Sequence, residues 1–441
     1  MKPYLKPVFC FLLIAALTFQ LAGCAGTPTA PTGPNAPGTP TEPNAPANPG
    51  KTEAGVVDLM SGIKPASAGT GERPSPEAAA AATDFSLRLF RAAKETDQNT
   101  LLSPASVLAA LAMTANGAKG DTLTQMEQTL GLSRNELNVF FRSWLNALAG
   151  DGTLKQANSV WFTADTRFTV NGDFLQTNAD FYGADVYRAP FDESTRAAIN
   201  DWVKAKTDGM IPEILDKIPP EAVMYLINAL AFEAKWAEPY SAYSVSEGEF
   251  TLENGEKRTV DLMYSEEHEY LENELAVGFV KPYEGGKYAF AALLPKEGVS
   301  LEALLDGLDG AALQSLLQNR GNETVYAALP KFETQFDTEL SPVLQDLGME
   351  LAFDGDRADF SGLGTSADGN IAISRVIHKT FISVAEQGTR AGAATVVEMT
   401  PEAAFIEDPK QVRLDRPFVY LLIDTESCLP LFIGAMLDPE P

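Results

Sequence analysis

Apolar and polar positions alternate along this chain in helical and strand rhythms, each predicting an element. Behind Pro76 and Glu77, the apolar positions Phe85, Leu87, Leu89 and Phe90 recur with a helical period, which predicts an amphipathic helix. A second helix is predicted from Pro104 to about Asn116. Ser103 stands where a cap accepts a backbone N–H, Pro104 suits the first helical position, and the run behind them is almost wholly apolar. Gly120 to Met126 starts a further short helix, and Ile199 to Val203 another, with Gly209 supplying its stop. Strands are read at Ala157–Phe162 and Val223–Phe232, the latter apolar enough to be buried on both faces. Asn228 interrupts that run. A buried amide without partners costs about 1 to 3 kcal/mol, so Asn228 is expected to be bonded to something specific.

The strand rhythm returns near the C-terminus. From Thr389 onward, Thr389, Ala391, Ala393, Thr395 and Val397 are small or apolar while the charge of Arg390 falls on the opposite parity, so one face can be buried. Beyond Val397 come Pro401, Pro409 and the carboxylates Glu398, Glu402, Glu407 and Asp408, which oppose a sheet centre and predict an exposed loop. On pattern alone this is equally an Ala-rich strand and turn.

At the other end, Lys2 and Lys6 precede an apolar run from Val8 to Leu17, too short to span a membrane. Leu21, Ala22 and Gly23 then lead to Cys24, similar to the lipobox of bacterial lipoproteins. The expectation is a signal peptide over residues 1–23, lipidation of Cys24, and an extracytoplasmic protein anchored to a bacterial membrane through its N-terminal lipid. A plain secretory leader with an incidental cysteine is the alternative. Residues 24–73, rich in Pro, Thr and Ala at first, are expected to form a flexible tether whose coil reach is roughly 40 Å. The globular domain is placed at 74–441.

Composition narrows the chemistry. Hydrophobic residues make up 45%, including 24 Phe, enough for one large core. A net charge of −27, two units more negative once Lys2 and Lys6 leave, opposes binding to nucleic acid. Once Cys10 leaves with the leader and Cys24 is lipidated, Cys428 alone remains, so no internal disulfide is expected. His268 and His378 are the only histidines. Glu266, Glu267, His268 and Glu269 look metal-like, but without a second His or Cys nearby they read as a solvated face. No Gly-x-Ser-x-Gly and no glycine-rich phosphate loop occurs, so no metal, cofactor or catalytic residue is expected.

The stretch Glu386-Gln387-Gly388-Thr389, followed by Ala391-Gly392-Ala393-Ala394-Thr395, resembles the hinge of the reactive-centre loop in inhibitory serpins. Further matches follow in serpin order: Ser103 and Ser106, Leu226-Ile227-Asn228-Ala229, Trp236, Lys281-Pro282-Tyr283, Leu329-Pro330-Lys331-Phe332, His378, Arg416-Pro417-Phe418 and Leu431-Phe432-Ile433-Gly434. The resemblance implies a mixed α+β fold with about three sheets, eight to nine helices and an exposed reactive-centre loop at about 386–412. It also implies that Ser103, Ser106, Asn228 and His378 form a polar cluster where the large sheet opens, with Trp236 at the top of that sheet.

The same resemblance implies function. A monomer would trap serine endopeptidases, and possibly cysteine ones, after cleavage of the loop, with the hinge residues Glu386, Gly388, Thr389, Ala391, Ala393 and Ala394 entering the large sheet as a new strand. The family's usual loop length, counted from Glu386, places the reactive bond between Glu402 and Ala403. Because the stretch to Pro417 is longer than the family commonly shows, cleavage elsewhere from Met399 to Ile406 stays open. A Glu before the bond suits a glutamyl-specific protease; an Ala suits a subtilisin- or elastase-like one. The rival readings are a non-inhibitory serpin serving as a surface binding or structural module, and a surface enzyme.

Overall fold

The computed structural model describes residues 50–51, 55–66, 74–148, 152–164, 168–219, 222–367, 370–389 and 409–440. All belong to one compact unit, Pro46–Pro441. Among them are nine α-helices and three sheets, two of nine strands and one of two, the mixed α+β content the resemblance implied.

The first long helix, Pro76–Ala93, starts as its sequence dictates. Ser75 accepts the Ala78 N–H at 3.1 Å, Pro76 occupies the first turn, and Phe85, Leu89 and Phe90 are buried. The second, Pro104–Ala115, has no solvated side: all twelve residues are buried, as expected of a helix hydrophobic all round. It packs against Met224–Phe232 of the large sheet on one side and Pro430–Met436 of the second sheet on the other. Ser103 stands at its N-cap position, but the hydroxyl does not cap. It donates to Leu431 O at 2.8 Å, so this buried hydroxyl is satisfied by a strand of the second sheet.

The large sheet runs, from its outer edge, through Gly50–Lys51, Val57–Asp58, Asp185–Ala189, Leu154–Thr163, Met224–Phe232 and Arg375–Ala385, with Phe332–Glu339 on the far side of the last. The outermost strands correct the sequence reading of 24–73 as tether. Val57 pairs with Arg188 and Asp58 with Tyr187, Leu59 N donates to Val186 O at 2.9 Å, and Val56 is buried beside Trp161 and Ala189. The short apolar run Val56, Val57, Leu59, Met60 had been averaged away by its polar neighbours. Its burial, and the cover it gives an otherwise bare sheet edge, hold it in place.

The second sheet contains Lys410–Arg413 at one edge, then Gly321–Pro330, Lys257–Glu272, Ala276–Pro282, Tyr288–Pro295, Phe418–Asp424, Pro430–Met436 and Thr100–Leu102. His268 lies in the Lys257–Glu272 strand at a bulge, exposed. Among the described residues no cluster of His, Cys, Asp or Glu is placed to hold a metal.

Candidate functional site

The large sheet is split along its middle. Met224–Phe232 and Arg375–Ala385 run parallel, but they pair only from Tyr225 opposite Arg375 to Ala229 opposite Lys379. Above that point Leu230 to Phe232 and Thr380 to Ala385 make no ladder with each other. The top of the gap is closed by two hinge residues: Gly388 pairs with Ala385 and Lys235, and Thr389 with Val384 and Ala234, both antiparallel. The chain after Ala385 has thus turned back and set its first two residues between the two halves of the sheet. Thr389, from which the strand parity was read, is completely buried; the residues that carry the rest of that alternation lie outside the described residues.

The described hinge residues are each held in a specific way. The Thr389 hydroxyl is hydrogen-bonded to the Tyr283 hydroxyl. Gly388 has φ +151°, and a Cβ there would stand 2.0 Å from Ala234 O and 2.7 Å from Lys235 Cα, both backbone atoms that cannot yield, so only glycine fits. Glu386 meets Lys331 at 2.9 Å. Burial alone would raise the Glu386 pKa, but a hydrogen bond to its own backbone N–H and the Lys331 ammonium together bring it below the ordinary value. Lys331 is raised in turn, chiefly by that hydrogen bond.

Trp236 packs against this corner. Its indole N–H donates to Ala385 O at 2.8 Å, its backbone N–H to Gln387 O at 3.0 Å, and its ring stacks on Tyr283 at 4.5 Å. Below lies a buried ion pair, Lys281 Nζ to Glu267 Oε1 at 2.7 Å, with the ammonium 4.4 Å from the Tyr240 ring centre. Sequence reasoning quoted Lys281, Tyr283 and Lys331 only as matches. Their roles depend on partners far away in sequence, Thr389 being 106 residues from Tyr283.

Where the paired part of the split begins, the polar cluster is present in two halves. Asn228 Nδ2 donates to Ser106 O at 2.6 Å and to Asn158 Oδ1, and the single Ser106 hydroxyl proton is shared between Asn228 Oδ1 and Ser103 O, the latter at 2.9 Å. His378 Nε2 accepts the Ser103 N–H at 3.0 Å. Asn228 and His378 face each other across the two strands. Asn158 was not foreseen; it lies directly opposite Asn228 in the antiparallel ladder, a position only the strand register reveals. Because Nε2 accepts, the proton is on Nδ1, which is buried with no hydrogen-bond partner among the described residues. Burial lowers the His378 pKa to about 3, so the ring is neutral at pH 7.

The other expected residues, Ala391, Ala393, Ala394, the Glu402–Ala403 bond and the lipidation residue Cys24, lie outside the described residues. Cys428 is buried, its thiol 3.5 Å from Arg320 and raised in pKa by burial.

The family model described as Serpin (serine protease inhibitor) matches residues 80–439. An uncharacterised serpin-like protein of Thermococcus kodakarensis is 32% identical over 370 residues, covering 82% of this chain and 85% of its own. A leukocyte elastase inhibitor of Equus caballus is 30% identical over 380 residues, covering 81% and 98%. Among solved structures, the thermophilic serpin tengpin in its native state superposes with a TM-score of 0.83 at 44% identity, covering 87% of this chain and all of that one. With this sheet and these relatives, the chain belongs to the serpin family, a family of protease inhibitors rather than of enzymes.

Proposed function

We propose that the chain is an inhibitory serpin that traps serine endopeptidases by a suicide route, working outside a bacterial cell from a lipid anchor at Cys24. The observation that carries this reading is the seated pair Gly388–Thr389. Continued downward in the same register, the chain would bring Ala391 opposite Phe232 and Ile382, Ala393 opposite Leu230 and Thr380, and Thr395 opposite Asn228 and His378. Those partners are all buried already, so only small side chains can enter, and the sequence supplies them. Past Ala393 the new strand must displace the five existing parallel pairs from Tyr225–Arg375 to Ala229–Lys379.

Cleavage of the loop by a protease releases the hinge's distal end while the protease is still held as an acyl-enzyme. About a dozen new backbone hydrogen bonds at roughly 1 kcal/mol net each would supply on the order of 10 kcal/mol. That is comparable with the stability of a whole domain and sufficient to deform a protease carried along with the strand.

The test is incubation of the chain from Ala25 onward with subtilisin, pancreatic elastase, trypsin and a glutamyl endopeptidase. A band at the summed mass that survives denaturation supports the trap, and the N-terminus of the released peptide fixes the reactive bond within Met399–Ile406. Cleavage by every protease without such a band would instead identify a non-inhibitory serpin. The anchor is tested separately, by mass spectrometry of the N-terminal peptide from the full chain expressed in a bacterium. An unmodified Cys24, or a leader cut elsewhere, overturns it.

A further inference from the structure

Resting on the inhibitory reading, we infer that Lys281, fixed by the buried carboxylate of Glu267, is a positioning residue for the hinge. It orients Trp236 and Tyr240, and through them keeps Gly388 and Thr389 seated at the top of the large sheet.

The seat is held from one short segment. Trp236 donates its indole N–H to Ala385 O and its backbone N–H to Gln387 O, and the Tyr240 N–H donates to Glu386 O at 2.9 Å. The carbonyls of the three residues before Gly388 are thus all engaged from residues 236–240. Trp236 also directly follows Ala234–Lys235, the strand with which Gly388 and Thr389 pair. Whatever fixes its ring therefore fixes both the hinge's turn and the strand beside it.

Lys281 is placed to do this. Its ammonium lies 4.4 Å from the Tyr240 ring centre and 5.6 Å from that of Trp236, and it donates to Glu267 Oε1 at 2.7 Å. A cation shared between two aromatic rings and one carboxylate has a narrow range of favourable positions, so the two rings are held relative to each other and to the second sheet. Two residues on, Tyr283 stacks on Trp236 and bonds Thr389, so Lys281 and Tyr283 meet the indole together.

Stability alone does not account for the pair. Its side chains are 3% and 7% exposed, and an apolar pair of similar volume in such a place is often as stable or more so. What the charges add is direction. The other ion pair at this corner, Lys331 with Glu386, is one-third exposed on both sides and open to solvent screening, so it defines the geometry less.

The experiment replaces the pair by apolar residues of similar volume, Lys281→Met/Glu267→Leu, in the chain from Ala25 onward. Hydrogen exchange followed by mass spectrometry reads the Trp236 and Tyr240 amides in a peptide spanning residues 233–240, with no protease present. The expected result is exchange there at least tenfold faster than in the parent, with residues 224–232 as protected as before and the thermal midpoint unchanged or raised. The number of inhibitor molecules consumed per protease trapped should rise at least twofold for the best-trapped of the four proteases above. A merely structural pair would move the midpoint and leave both readings where they were. Lys281→Gln/Glu267→Gln, a neutral hydrogen-bonding pair, is measured alongside and decides the matter if the apolar pair fails to fold; loosening is expected there too. Exchange within twofold of the parent in a folded variant overturns the positioning role and leaves the inhibitor reading intact. Absence of any covalent complex with the parent overturns the inhibitor reading, while the exchange result still judges the pair.

Discussion

Thr389 shows how much one side chain decides. It is buried, hydrogen-bonded to Tyr283 and, under the proposed mechanism, first in line for insertion, so Thr389→Arg would bury an unpaired guanidinium at a cost of several kcal/mol. The expected outcome is conversion from inhibitor to substrate, read as loss of the denaturation-resistant complex while loop cleavage continues. Gly388→Ala should act in the same direction and also lower the native midpoint, since its Cβ meets immovable backbone. His378 provides a pH test. Its folded pKa of about 3 lies below the unfolded value near 6.5, so the unfolded chain binds the extra proton. Stability is therefore complete above about pH 6.5 and drains away as pH falls toward 3, by a few kcal/mol in total. Urea midpoints at pH 7 and pH 4.5 should differ less for His378→Gln than for the parent; the carboxylates common to both cancel in that comparison. Cys428 should resist a thiol reagent in the native chain from Ala25 onward and react on unfolding, because burial both shields it and disfavours the thiolate.

At the level of elements, legibility followed the range of the information. The helices Pro76–Ala93 and Pro104–Ala115 and the strand Met224–Phe232 were readable because their period and caps lie within a few residues. The parity of Thr389 was readable for the same reason. Asn158 was not: a lone Asn in a strand looks like a solvated position until the opposite strand places Asn228 against it. Nor was the ion pair between Lys331 and Glu386, which depends on two strands meeting at the top of the sheet. Segment 55–66 was misassigned because a compositional average over fifty residues hides a four-residue apolar run. Removing everything through Ala66 should therefore expose the edge of Asp185–Ala189 and the pocket of Val56. A lower thermal midpoint and concentration-dependent association, followed by light scattering, are expected; an unchanged midpoint would show that the strand adds nothing.

For the whole molecule, the native fold holds a sheet that is incomplete at its centre. Under the proposed mechanism the chain cut at Glu402–Ala403 should melt well above the intact one, a difference that calorimetry before and after cleavage will register. The seated hinge also bears on timing. Under the same mechanism an acyl-enzyme would face two exits, hydrolysis that frees the protease and strand completion that captures it, and the fraction captured would be the ratio of the second rate to the sum of both. Nucleating a strand is ordinarily the slow event, because chain entropy is lost before contacts repay it. Here Gly388 and Thr389 have already met that cost, leaving the five parallel pairs as the first obstacle downstream. If capture outran hydrolysis about tenfold, a tenfold delay at the hinge would turn an inhibitor that spends about one molecule per protease into one that spends about two, with the final trapped state no less stable.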